Sequence, residues 1–445
     1  MSLKTISKTN ITSLAELLNL RQPVVSDDEV LNPIRDRHQA RVQELALPTT
    51  RDEAWRFTDL SQLTQVEFTA APSPQVEWPQ IEINLLREAP ETRLVFVNGA
   101  YRDRLSNRQG LPEGLYAGNL GELPPEQKAK LENYLAKQPG QEDVFTALNS
   151  ASFQDVAVIW LRRGTVLETP LQLLFVSVPG EQAMLTQPRC LVVAEANSHL
   201  TLVEEYISTV EGCPDAQAVA YLNNAVSEIW LEDNADVSHI RLQRDNGSAF
   251  HIGKTAVTQA RDSRYTCHTL NLGSQLSRHN LDVYQTGPGT ETALNGLTLI
   301  GKAQTSDSHS TVIYDHPNGT VNQLHKCIVG DKGHAVFDGR IVVMKKAQLT
   351  NANQLNRNLL LSPKARVNTK PQLEIVADNV KCSHGATVSQ LEADEVFYLQ
   401  SRGLDKTTSQ NLLVDAFAAE ILQEIPVKSL QTAIAQCVAC RTVSY

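Results

Sequence analysis

Cys382 and His384 stand two apart in the segment DNVKCSHGATVSQLEADEVFYLQSRG, residues 378–403. In an extended segment, residues i and i+2 project to the same side. A thiolate and an imidazole could therefore face one point, and both are ligands for borderline and soft metals. Two such ligands are too few for a closed four-ligand site. A metal held here would sit in an open site, or in one completed by another chain. The competing reading makes Cys382 a buried small hydrophobe and His384 a hydrogen-bonded hinge. Three other pairs are weaker. His325 and Cys327 share a face if extended, with packing the favoured reading. Cys267 and His268 are neighbours and face opposite ways in a strand. Cys437-Val-Ala-Cys440 is a single CxxC near the end of an Ala-rich helix, whereas zinc sites usually need a second pair and redox motifs usually open a helix. The stretch from Gly247 to Gly253-Lys254-Thr255 mimics a phosphate loop, but it is one residue too long and lies among alternating strands. No G-x-S-x-G, H-E-x-x-H or paired-carboxylate motif stands out.

These residues must be positioned by a chain of 445 residues, 41% hydrophobic and 20% charged, ordinary values for a folded protein. A net charge of −10 excludes a global electrostatic pull toward nucleic acid. No apolar run approaches the ~20 residues that span a membrane. The N-terminus lacks a clean signal-peptide core and cleavage site, which predicts a cytoplasmic or plastid-like reducing compartment. Seven scattered Cys argue against a disulfide framework.

Residues 12–48 read as helical, with Leu14, Leu17 and Leu18 at helical spacing. Trp55 and Phe57 read as packing. From Thr92 a period-2 pattern begins, interrupted at 122–137 by an expected amphipathic helix after Pro124-Pro125. The alternation then runs for over 200 residues, with Gly, Asn, Asp and Pro turns. Either an antiparallel sandwich or a parallel β-helix accommodates it. The polar run Asn351, Asn353, Gln354, Asn356 and Asn358 suits stacked amide ladders in a solenoid, although no fixed period is visible. The ends of such a solenoid need covering. After Pro371 the chain is expected to turn helical. Leu413, Phe417, Ile421 and Leu422 then form one stripe, with Leu412 and Ile425 at its edges. A last helix puts Val427, Leu430, Ile434 and Val438 in phase. That much apolar surface suits docking.

Several long strings resemble a known family. RDEAWRFTDL, DVFTALNSAS, KCIVGDKGHAVFDGRIVV, AQLTNANQLNRNLLLSPKARVNTKPQLEI and VKCSHGATVSQLEADEVFYLQSRGL are similar, in order, to the SufB/SufD family of Suf-type iron–sulfur cluster assembly. The first string, the length and the CSHGAT form point to the SufD side. The resemblance implies a mainly β fold: a right-handed parallel β-helix over 91–373, between helical domains at 1–90 and 374–445. It implies a non-catalytic scaffold that pairs with SufB and binds the SufC ATPase through the C-terminal helices, where Leu412, Leu413, Phe417 and Ile421 become docking candidates. A transient iron–sulfur cluster or iron would be shared with SufB, with none tightly bound in the isolated chain. The ligand carried over is His384, with Cys382 beside it. A homodimer is expected when the chain is isolated. Two further readings are a β-helix carbohydrate-active enzyme (lyase or hydrolase) and a zinc protein using Cys437 and Cys440.

Overall fold

The computed structural model describes residues 13–23, 31–140, 142–209 and 218–442. Its centre is a β-solenoid of about 8 turns. Successive strands alternate between two sheets, and each pairs in parallel with the strand two places away. One sheet runs through Tyr221–Leu231, Phe250–Gln259, Leu276–Gln285, Thr305–Tyr314 and His334–Val343 to Arg366–Ile375. The other runs through His199–Ser208, Asp236–Arg244, Arg264–Asn271, Glu291–Ile300, Thr320–Val329 and Asn351–Leu360 to Lys381–Gln390. The inter-turn step drifts from 26 residues between Phe250 and Leu276 to 32 between His334 and Arg366. That drift hides the repeat from any fixed-period search.

Each strand sends alternate side chains into the space between the sheets. Inside, Leu, Val, Ile and Tyr side chains such as Leu202, Ile229, Val257, Val283, Val312 and Ile341 make a continuous apolar core. The turns are stacked too. At one corner the left-handed residues Asn197, Asn234, Asp262, Gly289, Asn318 and Leu349 recur. Their backbone N–H groups donate to the next turn, as in Asn318 to Gln348 (3.0 Å) and Leu349 to Asn379 (2.7 Å).

The solenoid's two ends differ. At the start, Leu115–Asn119 pairs antiparallel with Ala157–Leu161, and Ala100–Tyr101 pairs antiparallel with Arg93–Val97. At the other end, Arg366–Ile375 and Lys381–Gln390 are each the last strand of their sheet, with nothing paired beyond them among the described residues.

Helices cover the outer faces. Leu14–Asn19 and Leu31–Glu44 pack with Val144–Ser152, whose N-cap Asp143 accepts from the N–H groups of Phe145 and Thr146. Trp55 is buried beneath the Arg278 guanidinium, 4.0 Å from the ring centroid, while Phe57 is partly exposed. At the C-terminal side, Lys406–Leu422 packs over the strands Glu291–Ile300 and Thr320–Val329, and Lys428–Thr442 packs against that helix.

Two expectations are corrected. Residues 122–137 are not one amphipathic helix but a single turn, Pro125–Lys128, and a 3-10 turn, Leu131–Asn133. Tertiary anchors override propensity there. Leu131 and Leu135 are buried, and the Ala136 N–H donates to Glu228 at 2.9 Å from a left-handed backbone. The chain also does not turn helical after Pro371, because strands continue to Gln390 and helix begins only at Ala393. Pro371 is tolerated because its strand is an edge, where the missing N–H costs no ladder bond.

Candidate functional site

The candidate site residues lie at the open end of the solenoid. Cys382 pairs in register with Ala352, and His384 with Gln354. Ala352, Gln354, Asn356 and Asn358 are the buried, inward-facing residues of their strand. Cys382 and His384 therefore hold inward-facing positions in the final turn, as their spacing requires. With no turn beyond, His384 is exposed and Cys382 half-buried. Burial pushes the Cys382 thiol pKa up, with a backbone hydrogen bond at Ala352 opposing it.

The expected amide ladder exists and leads to this point. Gln354 donates to Gln323 at 2.9 Å, and His384 continues that column. On the outer face Asn353 donates to Asn322 at 3.3 Å, and the Ser383 hydroxyl donates to Asn353 at 2.6 Å. Beneath the final turn the Oε1 of Gln354 and the Oδ1 of Asn358 are buried without a hydrogen-bond partner among the described residues. No group of three or more His, Cys, Asp or Glu among the described residues could hold a metal ion. Cys382 and His384 thus bring a thiol and an imidazole to the open end, beside buried polar groups without partners among the described residues.

The other pairs belong to the interior. His325 and Cys327 both point inward and are buried. Burial pushes His325 down to about 4 and Cys327 up to about 12, so both stay neutral. A methyl at Gly296 would overlap the His325 ring, so only glycine fits opposite it. Cys267 and His268 face opposite ways. Cys267 lies 4.0 Å from Nδ1 of His239, whose Nε2 is 3.0 Å from Glu204. Burial opposes charge on His239, but Cys267 and Glu204 outweigh it and raise its pKa to about 9. This buried network has no sequence signature, because the solenoid register alone joins strands about a turn apart. Lys254 of the apparent phosphate loop is spent on Asp282 at 2.6 Å.

Residues 176–417 match "SUF system FeS cluster assembly, SufBD core domain", and residues 12–173 match "SufBD protein N-terminal region". The chain belongs to the SufBD family. It is 48% identical to an iron–sulfur cluster assembly SufBD family protein of Synechocystis sp., over 94% of this chain and 92% of that one. It is 31% identical to the iron–sulfur cluster assembly protein SufD of Escherichia coli, over 90% of each chain. It is 35% identical to a chloroplastic protein, ABCI7, of Arabidopsis thaliana, over 90% of this chain and 84% of that one. Family membership places the chain in the SUF system and leaves the carbohydrate-active reading without support. No helix among the described residues is long and apolar enough to cross a membrane.

In this SufBD protein the C-terminal helix Lys406–Leu422 presents a face rotated from the expected stripe. Val414, Ala418, Ile421 and Leu422 are its buried apolar residues. Ile421 is 0% exposed and cannot present itself to a partner. Phe417 is half-buried beneath Lys326, whose ammonium lies 4.3 Å from the ring centroid and donates to the Phe417 carbonyl at 2.8 Å. Leu413 is also half-buried, and Leu412 is 47% exposed. The preceding helix, Ala393–Ser401, buries only Val396 and leaves Phe397 and Tyr398 exposed. The adjacent Phe-Tyr pair was the available sequence signal for that patch.

Proposed function

We propose that this protein is a non-catalytic scaffold subunit of a Suf assembly complex. Its open end pairs with a SufB-type solenoid, and its C-terminal helices bind the SufC ATPase. The observation that carries the reading is the position of Cys382 and His384 on the last, uncovered turn. An unpaired parallel edge is a template for another strand, and a homologous solenoid supplies one. In that arrangement His384, with Cys382 beside it, donates to a nascent iron–sulfur cluster or iron at the junction, and the partner completes the ligand set. A cargo held by few ligands from two chains is easily handed on. Leu412, Phe397 and Tyr398 make the exposed apolar face for the ATPase, supported from behind by Leu413 and Phe417. The isolated chain covers its own edge by pairing with a second copy. In a test, His384→Ala is reconstituted with SufB and SufC. Complex assembly is expected to persist while iron and sulfide content fall severalfold. Unchanged cluster content would overturn the ligand role.

A further inference from the structure

The CxxC of the last helix takes no part in the function proposed above. Cys437 and Cys440 lie three residues apart on Lys428–Thr442, so both side chains occupy one helix face. Cys437 is half-buried and Cys440 exposed. The Cys437 side chain is hydrogen-bonded to Arg244. That guanidinium also binds Glu205 and donates to Oδ1 of Asn84 at 2.7 Å. On the same helix the Ser429 N–H donates to Glu88 at 2.8 Å. The cysteine pair therefore sits where the C-terminal helix, the outer face of the solenoid and residues 84–88 are tied together.

A guanidinium donating to sulfur favours the thiolate, which is the nucleophile in disulfide exchange. The same cation disfavours a metal ion at that sulfur, and no third His, Cys, Asp or Glu ligand completes a metal cluster among the described residues. In a regular helix the Cβ atoms of i and i+3 are about 5–6 Å apart, against about 3.8 Å in a disulfide. Cys440 lies in the last turn, so closing that gap requires only the helix end to unwind.

We propose that Cys437 and Cys440 form a reversible thiol–disulfide switch that exchanges with small-molecule disulfides such as oxidised glutathione. One cysteine thiolate attacks the glutathione disulfide, making a mixed disulfide and releasing one glutathione thiol. The second cysteine attacks the protein sulfur of that mixed disulfide and releases the other. The protein gives up two electrons and two protons, and the small disulfide takes them. The product is strained by the helix, hence readily reduced, which is the property of a regulatory rather than a structural bond. Once Cys437 is in the disulfide its sulfur no longer carries charge toward Arg244, and the end of the helix loses that tie.

The full-length chain is incubated with oxidised glutathione and analysed by intact mass and peptide mapping, then reduced. The expected result is a loss of two hydrogens, a peptide linking Cys437 to Cys440, and full reversal by dithiothreitol. Cys440→Ser is expected to stop at a glutathione adduct. Arg244→Lys is expected to slow ring closure severalfold without abolishing the melting transition. Glutathione retained on wild-type Cys440 with no internal bond would overturn the proposal. So would zinc retained by the wild type and lost in the double Ser variant, which would make the pair a metal site.

Discussion

Leu349 adopts φ +62° with a branched apolar side chain that is 58% exposed. Left-handed backbone costs an L-residue other than Gly or Asn roughly 1–2 kcal/mol. At the equivalent corner of three other turns the residue is Asn, and Asn234 donates its side-chain amide to Asn197 at 2.9 Å. Leu349→Asn is therefore expected to stabilise the isolated chain by about 1 kcal/mol, read as a higher denaturation midpoint at unchanged slope. A fall in stability would mean that the leucine packs more than its exposure indicates. Single residues were legible where one strand contains the whole pattern. The two-residue spacing of Cys382 and His384 gave a shared face directly. Glu204, His239 and Cys267 were not legible, because their contact depends on the register between turns.

Among the elements, the helix Lys406–Leu422 shows why phase is harder to read than existence. Seven of its residues are Leu, Val, Phe, Ala or Ile between 412 and 419 alone, so several stripes fit. The structure selects the one in which small Ala418 lets the helix close on the sheet and leaves Leu412 outward. Leu412→Asp is expected to leave the unfolding free energy unchanged within about 0.5 kcal/mol and to abolish co-purification with SufC. Retained co-purification would move the docking face elsewhere. The chain beyond Pro371 was expected to turn helical, and a proline does argue against a central strand. The edge position of Arg366–Ile375, visible only in the sheet order, removes that objection. The 3-10 turns near residue 131 are likewise set by what they bury.

For the whole molecule, long alternation and the polar run left a sandwich and a solenoid both open, the family resemblance chose the solenoid, and the drifting step hid its turn count. The filling of the interior also sets a pH range. Burial holds His268 and His325 near 4, and His279 lower than usual, against an ordinary 6.5. As pH falls below 6.5 the unfolded chain takes up these protons before the folded one, so stability declines between about 6.5 and 4. His239 has the opposite sign. Its stabilisation is full below 6.5 and fades as pH rises through about 9. Melting temperature against pH should peak near neutrality, and His325→Gln should flatten the acid limb. An acid limb identical in that variant would show that other groups control it.

A stack of parallel turns has no intrinsic length, and two exposed ends would let such molecules join head to tail into fibres. Here the antiparallel strands at Ala100–Tyr101 and Leu115–Asn119 reverse the chain direction at one terminus. An incoming parallel strand finds no continuing template there. Growth is thus permitted in one direction only, and a second solenoid blunted in the same way would end it after a single step. In the proposed pairing, these antiparallel strands at the opposite end are what keeps the assembly finite.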